Sequence, residues 1–528
     1  MITIYLLGIL FLGSIGWYLM RLLKLAKLPP LPPGPKPLPL IGNVLDMPPH
    51  GCKEWLHWLK HKDEYGPISS VTAAGNTIII LNEARMAFDL FEKRGSQYSA
   101  RPRMVMGAEL GGWNRLVTMK SNPIEVRAHR KRINHHIGST QALASFYPQQ
   151  DSQINQFLLS VLAKPSDLLE LVRSLVGANI LQITYGYKVK PAGHDCLIEL
   201  AEAIGERFNK AIEPGLWLVD SFPFLKHVPK WMPGAEFKRK AEAWRKLLTA
   251  LAEKPYAFVR HQMAAGTHKP SFVSKQIEQA GGVMSPQEEH EIIWTAGVLY
   301  GAGADTTVSA ISAFFLAMAL HPEAQRKAQT ELDRVVGCRM PAPEDRKNLV
   351  YIEAVIKEVL RWNPVAPVGV PHTTTEDDFY EGYRIPQGAT LIPNIWAFMH
   401  DPQTYPDPMA FKPERFLECD GHAPELDPHK MAFGFGRRTC PGRFLADSNL
   451  YLTIARSLIL FHIRKPVVNG QVMEPPEDFQ PGIVSQPTPF ELDIRPRSAE
   501  HESLLLSSSE QAKSEGHSAL LEKIWSMQ

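Results

Sequence analysis

The sequence has almost no net charge and few cysteines, and both shortages exclude classes of function. Its 528 residues carry 57 basic and 55 acidic side chains, so the formal net charge is only +2. Nucleic-acid binding needs a broad electropositive surface, which this balance does not supply. The five cysteines form no CxxC pair, which argues against a disulfide framework or a zinc ribbon. Four of them fit small buried hydrophobic residues, and Cys440 alone lies in an unusual setting.

The first twenty residues, Met1–Met20, contain no charged side chain. An apolar helix of that length, rising about 1.5 Å per residue, can cross a bilayer core of roughly 30 Å. Basic residues follow at once, and the segment lacks the basic start and the small-residue cleavage site of a signal peptide. We therefore predict a retained transmembrane anchor, with the basic flank and the rest of the chain in the cytosol.

Composition divides the rest of the chain into three parts. Residues 21–40 are basic and rich in proline, which fixes φ and lacks an amide donor, so they predict a stiff hinge. Residues 41–498 contain no long linker, repeat or low-complexity block and predict one large domain. Residues 499–528 are polar and rich in serine and glutamate, so we expect a disordered tail.

Helical periodicity dominates the large domain. Apolar residues recur at helical spacing in Gln150–Leu162, Phe237–His261, Glu288–Leu320, Pro322–Val336 and Leu349–Arg361. Extended patterns are fewer and occur at Ile68–Thr72, Thr77–Leu81, Phe379–Ile385 and Thr390–Pro393. The predicted fold class is therefore mainly α with small β-sheets.

The segment Phe433–Gly442 is the most informative part of the sequence. Its glycines allow a tight turn and a close approach to a flat ligand. The apolar run from Arg443 to Ile463 predicts a helix directly after it. Cys440 would then lie just before a helix N-terminus, where the helix dipole favours a thiolate. A glycine-rich turn with a buried cysteine is the plain alternative.

Five positions of this segment carry a family resemblance. They match the haem-binding signature FxxGxRxCxG of the cytochromes P-450 at Phe433, Gly436, Arg438, Cys440 and Gly442. The resemblance implies that Cys440 is the axial ligand of the haem iron, with these residues shaping the cofactor site. Arg438, two residues before the sulfur, is placed to pair with a haem propionate.

A second motif, Gly301–Thr307, interrupts a long apolar helical stretch. Glycine inside a helix costs about 1 kcal/mol relative to alanine, so either another group comes close or the helix deforms. Close packing of two helices is the alternative, but a buried acid followed by two threonines needs a functional reason. The stretch resembles the family's oxygen-binding motif, (A/G)Gx(D/E)T(T/S). That resemblance implies that Thr306 hydrogen-bonds dioxygen, that Asp305 helps deliver protons, and that Ala302 and Gly303 lie at the cofactor.

Three charged residues resemble the ExxR and PERF elements of the same family. Glu358 and Arg361 are three positions apart and share one helix face, for which a surface ion pair is the usual explanation. Arg415 lies in the downstream segment Phe411–Phe416. The resemblance implies a buried triad of Glu358, Arg361 and Arg415 that is structural and not catalytic.

Two further residues are matched to the haem propionates by resemblance. His372 follows Pro371 at the position from which the family reaches a propionate. Arg130 is the arginine of a WxxxR element in which Val126 replaces the usual tryptophan, so one hydrogen bond of the haem clamp is in doubt. Solvated basic residues on an exposed helix are the alternative explanation for this segment.

The resemblance implies a haem-thiolate monooxygenase with haem b between the Asp305 helix and the Cys440 loop. It would insert one oxygen atom from dioxygen into a hydrophobic small molecule by hydroxylation, epoxidation or multi-step oxidation. Electrons would come from NADPH through NADPH-cytochrome P-450 reductase, with cytochrome b5 as a further donor. The overall spacing most resembles fungal microsomal members, including the O-methylsterigmatocystin oxidoreductase-like enzymes, which predicts an endoplasmic reticulum membrane protein of secondary-metabolite biosynthesis.

Two other functions remain open from the sequence alone. Some family members rearrange or dehydrate their substrates without activating oxygen, and a haem sensor would not be an enzyme at all. Neither needs the acid and alcohol that Asp305 and Thr306 supply, so the sequence favours oxygen activation.

Overall fold

The computed structural model describes residues 28–189, 195–418, 421, 423–507 and 516–526. The predicted anchor at Met1–Met20, the first residues of the predicted hinge and Cys419 lie outside these residues.

The described chain is mainly helical, as the sequence predicts. Helices of eight or more residues occupy Glu54–Tyr65, Pro123–Ile137, Tyr147–Ala163, Leu168–Tyr185, Cys196–Ile212, Glu236–Ala264, Phe272–Gln279, Pro286–Leu320, Pro322–Val335, Val350–Trp362, Arg443–Leu460, Ala499–Ser507 and Ser518–Ser526. Shorter α-helical turns occupy Ala84–Ala87, Thr140–Leu143, Leu218–Ser221, Ile395–Met399 and His429–Ala432. Single turns of 3-10 or π helix fill several connections, among them Phe88–Lys93, Val105–Leu110, Pro343–Asn348, Pro413–Phe416 and Gly436–Arg438.

The longest helix, Pro286–Leu320, is called the central helix here. It begins with a capping box between Ser285 and Glu288 and ends just before the His321-Pro322 dipeptide, where proline disfavours a helical conformation of the residue before it. Among the described residues it is the one helix long and apolar enough to cross a membrane. Most of it is buried among its neighbours, as expected of a core helix.

The part of the chain that the structure describes contains ten short strands in four small sheets: β1 (Ile68–Ala73), β2 (Asn76–Leu81), β3 (His372–Thr373), β4 (Asp378–Tyr380), β5 (Tyr383–Ile385), β6 (Thr390–Pro393), β7 (Phe461–Arg464), β8 (Val467–Val468), β9 (Gln471–Val472) and β10 (Asp493–Pro496). The largest has the order β1–β2–β6–β3, with β2 parallel to β6 and the other pairs antiparallel. Its register sets Ile68 opposite Leu81 and His372 opposite Leu391. The sheet thereby fixes His372 at its edge.

Two predicted elements have different ends in the structure. The helix predicted over Arg443–Ile463 ends at Leu460, because Phe461 begins β7 and pairs with β10. The extended segment predicted over Phe379–Ile385 is a hairpin of β4 and β5, in which Glu381 and Gly382 turn with φ of +50° and +82°.

The proline-rich segment is not a free hinge where the structure describes it. The carbonyl groups of Pro33 and Pro32 accept hydrogen bonds from the backbone N–H and the hydroxyl of Ser70 at 2.8 and 2.6 Å. The carbonyl of Pro30 accepts another from the backbone of Arg384 at 2.8 Å. Proline lacks a donor but keeps its acceptor, so the segment can still pair with the edge of a sheet.

Where the structure describes the predicted disordered tail, it forms two helices, Ala499–Ser507 and Ser518–Ser526. Residues 516–526, called the C-terminal arm here, pack on the Glu236–Ala264 helix with Leu521 and Ile524 only 0% and 6% exposed. The hydroxyl of Ser518 donates to Asp195 at 2.6 Å, at the start of the Cys196–Ile212 helix. Leu521 and Ile524 are three positions apart and therefore share one face of the helix, and this apolar face packs against the domain.

Candidate active site

The segment Phe433–Gly442, the thiolate loop, is a tight turn between two helical segments. The N–H of Cys440 donates to the carbonyl of Phe433 at 2.7 Å and closes the loop. Gly434 and Gly436 have φ of +73° and +52°, values that residues with a side chain rarely adopt. A Cβ on Gly436 would lie 2.0 Å from the carbonyl oxygen of Phe91, so only glycine fits this close approach.

Cys440 lies three residues before the helix Arg443–Leu460, whose N-cap is Gly442. Burial raises the pKa of the Cys440 thiol, while a backbone hydrogen bond from Gly442 and the charges of Arg130 and Arg443 act in the opposite direction. Backbone amides and nearby cations are the surroundings in which proteins hold a thiolate. The predicted position of Cys440 before a helix N-terminus is therefore what the structure has.

Cys440 lines a cavity of about 310 Å³. The thiolate loop contributes Phe433, Gly434, Phe435 and Gly442, together with Cys440 itself, and the central helix contributes Val298, Leu299, Ala302, Gly303, Thr306, Thr307 and Ala310. Further lining residues come from the connection before β3, namely Val365, Ala366, Gly369 and Val370. The walls are mostly aliphatic, which fits an apolar ligand.

Three arginines line one part of this cavity: Arg101, which is buried, and Arg130 and Arg438, which are half-buried. Arg438 donates to the carbonyls of Val117 and Thr118 at 3.2 and 2.9 Å, and Arg101 donates to Thr118 at 3.0 Å. None of the three forms an ion pair with a carboxylate in the part of the chain that the structure describes.

These arginines lie close enough together for the charge of one to lower the pKa of another. Burial lowers the pKa of Arg438 to about 10, with a further contribution from the charge of Arg130. Burial and the other two arginines lower the pKa of Arg101 well below its usual range. A buried group of cations without a counter-charge is unfavourable, so the cavity fits a ligand that carries acidic groups.

His372 lies beside the same group of arginines. Its Nδ1 donates to the carbonyl of Tyr98 at 2.7 Å, and its ring stacks on Phe91 with centroids 4.3 Å apart. Burial lowers the pKa of His372 well below its usual value, with a smaller effect from the charge of Arg101. Because the carbonyl of Tyr98 needs a donor, the proton of the neutral ring sits on Nδ1 and leaves Nε2 free toward the cavity.

The structure separates the two residues of the predicted proton-delivery pair. Thr306 lines the cavity, and its hydroxyl donates to the carbonyl of Ala302 at 2.9 Å. Asp305 does not line the cavity; its carboxylate lies near Gly205 and accepts a hydrogen bond from the amide of Gln486. Burial raises the pKa of Asp305, so this carboxyl holds its proton at higher pH than an exposed one.

The predicted triad forms a buried cluster outside the cavity. Arg361 donates to Glu358 through Nε and Nη2 at 2.6 and 2.8 Å, and Arg415 donates to the same carboxylate at 3.2 Å. Their side chains are at most 3% exposed. Arg415 also pairs with Glu425 at 2.8 Å. The cluster ties the Val350–Trp362 helix to the segment that precedes the thiolate loop.

Sequence reasoning missed two residues of the site, Arg101 and Gln486. Arg101 reaches the cavity by hydrogen bonds to the carbonyls of Val370 and Pro371, about 270 positions away in the chain. Gln486 contacts Asp305 across 181 positions. Neither residue lies in a motif, so only the folded structure brings them to the site.

A mainly helical fold with Cys440 in an aliphatic cavity lined by arginines fits a haem-thiolate protein, and comparison with known proteins agrees. The family model for cytochrome P450 matches residues 32–494, so the chain belongs to the cytochrome P450 family. Members use haem, and they need a redox partner and a hydrophobic substrate. The enzyme is accordingly an oxidoreductase that incorporates oxygen, with the general function of a haem-thiolate monooxygenase.

Fungal relatives match nearly the whole chain. Cytochrome P450 monooxygenase claR of Ampulloclitocybe clavipes is 46% identical over 506 residues, which cover 96% of this chain and 92% of that protein. Cytochrome P450 monooxygenase ppsD of Aspergillus oryzae is 46% identical over 475 residues, covering 89% and 90%. O-methylsterigmatocystin oxidoreductase of Aspergillus flavus is 41% identical over 475 residues, covering 90% and 89%.

Proposed function

We propose that this enzyme binds haem b through Cys440 and inserts one oxygen atom from dioxygen into a hydrophobic small molecule. The reaction would be a hydroxylation, an epoxidation or a series of oxidations. One observation carries the proposal: Cys440 and Thr306 line the same aliphatic cavity, which is also lined by three arginines that have no carboxylate partner among the described residues.

The residues around the cavity fit the two propionates and the flat ring of haem. Arg101, Arg130 and Arg438 supply the positive charge that two carboxylates require. His372 can join them, because a carboxylate beside Nε2 would raise the pKa of this histidine and make the ring a donor. When bound, haem supplies the redox chemistry that activates dioxygen.

Small residues leave room for the ring on both sides. Gly436 and Gly442 shape the thiolate loop around Cys440, with Phe433 lining the cavity next to them. On the opposite wall, Ala302 and Gly303 of the central helix present little side-chain bulk. Val126 and Arg130 both line the cavity. Because Val126 takes the place of the tryptophan of the WxxxR element, the arginines would hold the propionates without an indole donor.

Protons would reach the cavity through Asp305 and Thr306. The Thr306 hydroxyl is oriented by the carbonyl of Ala302 and can hand a proton onward inside the cavity. Asp305 precedes Thr306 in the central helix, and burial raises the pKa of its carboxyl, so that it holds a proton at higher pH than an exposed carboxyl does. Gln486 donates a hydrogen bond to that carboxyl. The presence of both an acid and an alcohol in this part of the central helix supports oxygen activation over a rearrangement or a sensor function.

The electron source, the location and the substrate class follow from the sequence and the relatives. We propose that NADPH-cytochrome P-450 reductase supplies the electrons, with cytochrome b5 as a second donor, at the endoplasmic reticulum membrane. The uncharged segment Met1–Met20 supports an anchor there. The fungal relatives, one of them named for O-methylsterigmatocystin, support a role in secondary-metabolite oxidation.

The test uses the full chain expressed with a reductase, with metabolite profiling to find the product. Thr306→Ala should keep haem and NADPH consumption while product per NADPH falls about a hundredfold and hydrogen peroxide rises, since a positioned donor contributes about that much. Thr306→Ser keeps the hydroxyl and serves as the control. An isomerase or a sensor would consume no NADPH in step with product. Full product yield from Thr306→Ala would refute the proposed proton route.

A further inference from the structure

His429 connects the two chain segments that enter and leave the thiolate loop. Its Nδ1 is 2.8 Å from a carboxylate oxygen of Asp427, and its Nε2 is 3.1 Å from a carboxylate oxygen of Asp447. Asp447 lies in the helix Arg443–Leu460, which follows the loop, whereas Asp427 precedes it. Ionised carboxylates only accept hydrogen bonds, so both ring nitrogens must donate and the ring is an imidazolium.

The surrounding charges balance only when this ring is positive. Lys357 pairs with Asp427 at 3.0 Å, and Arg346 makes two hydrogen bonds to Asp447 at 2.6 and 2.9 Å. Arg346 also pairs with Glu353 at 2.7 Å. The group therefore contains three carboxylates and, counting the imidazolium, three cations. Loss of the ring proton would leave one carboxylate charge uncompensated.

Two contacts in series link the His429 ring to Cys440. The His429 ring stacks on the ring of Phe433, with centroids 6.0 Å apart and planes at 22°. The carbonyl of Phe433 in turn accepts the N–H of Cys440 at 2.7 Å. A movement of His429 would thus act directly on the hydrogen bond that closes the thiolate loop.

We propose that His429 is a positioning residue for the thiolate loop. As an imidazolium it clamps Asp427 to Asp447 and, through Phe433, holds Cys440 where it can ligate a metal. Loss of its proton would open this clamp and loosen the loop that holds Cys440, so that the thiolate would ligate haem less firmly. The inference rests on the proposed function, because it takes Cys440 as the haem ligand.

The clamp predicts an alkaline limit for thiolate ligation. Burial alone would lower the pKa of His429, but the hydrogen bonds and charges of Asp427 and Asp447 outweigh burial and raise this pKa to about 9. The pKa lies above the ordinary histidine value of 6.5. The contribution of the clamp is therefore complete below pH 6.5 and is lost as the pH rises through about 9.

The experiment follows the thiolate band of the ferrous carbon monoxide complex of the holoenzyme between pH 7 and 10. The wild type should lose this band with a midpoint near pH 9. His429→Arg keeps the charge and does not titrate in this range, so its midpoint should move up by at least about one pH unit. His429→Gln removes the charge. The ratio of open to closed clamp at pH 7 should therefore rise about tenfold.

Two controls keep the outcomes distinct. His50→Gln removes a histidine that pairs with Glu213 at the surface, 60% exposed, and should keep the wild-type midpoint. Cys440→Ala should lack the thiolate band at every pH; if it kept the band, the proposed function itself would fail. If Cys440→Ala lost the band but His429→Arg titrated like the wild type, the positioning role of His429 would be refuted. Because His429→Arg retains the clamp, this comparison stands even if His429→Gln does not fold.

Discussion

Replacing Glu358 by glutamine tests the buried ion cluster behind the thiolate loop. Glu358 and Arg361 have fully buried side chains, and Arg415 is 3% exposed. The Glu358 carboxylate accepts hydrogen bonds from both arginines and from the backbone N–H of Lys412 at 2.6 Å. Glu358 is therefore the carboxylate partner of Arg361, and it shares Arg415 with Glu425 in a cluster that water hardly reaches.

The expected loss in the free energy of unfolding follows from the partners that the two arginines keep after the substitution. Arg415 keeps its pair with Glu425, but the other partners of Arg361 are the carbonyls of Met399, Pro408 and Ala410. Removing one partner of a buried ion pair costs about 3–5 kcal/mol, because the other charge stays buried. A folded domain is stable by only about 5–15 kcal/mol, so Glu358→Gln should remove a large share of the free energy of unfolding.

The measurement is urea unfolding followed by circular dichroism and by haem release. Glu323→Gln is the matched control, since Glu323 pairs with Arg326 at 2.8 Å on the surface, where the two side chains are 74% and 66% exposed. An exposed pair contributes about 0–1 kcal/mol. Equal losses from the two substitutions, or a loss below about 1 kcal/mol for Glu358→Gln, would contradict the assignment of a buried triad.

Two further substitutions test the loop and the C-terminal arm. Gly436→Ala should lose haem and lower the thermal midpoint more than Gly434→Ala does. Both positions have positive φ, at which alanine costs about 1–2 kcal/mol, but only the Gly436 Cβ would meet a backbone oxygen, 2.0 Å away. Leu521→Asp should detach the arm and increase proteolysis of residues 516–526, since burial of one leucine contributes about 1.5–3 kcal/mol. Ala519→Asp, on the exposed side of the same helix, should leave the arm attached.

The sequence predicted best those features that depend on fixed local spacing. The thiolate loop is a run of ten residues in which Gly434 and Gly436 adopt positive φ, so its shape is encoded locally. Glu358 and Arg361 share a helix face, and the structure places them together as predicted. The central helix ends at Leu320 as predicted, because its apolar run ends just before Pro322, and it starts two residues before the predicted Glu288.

Features that depend on distant contacts could not be predicted. Arg101 has no distinctive neighbours in the chain, and its role in the cavity appears only when β3 is placed beside it. The motif placed Asp305 next to Thr306, but consecutive helical residues point about 100° apart, so the two face different surroundings. Composition alone also failed for residues 516–526, because docking depends on where the apolar residues lie and not on how many there are.

Two groups of charged residues lie near Cys440, and they differ in whether their positive and negative charges balance. The clamp formed by His429, Asp427 and Asp447 with its neighbours contains equal numbers of cations and carboxylates, so it holds the loop without any ligand. The arginines of the cavity repel one another and have no carboxylate partner among the described residues. A ligand that supplies negative charge therefore stabilises the folded state by more than its apolar contacts alone. The fold thus preforms the loop that carries Cys440, while the arginines of the cavity keep no carboxylate partner among the described residues.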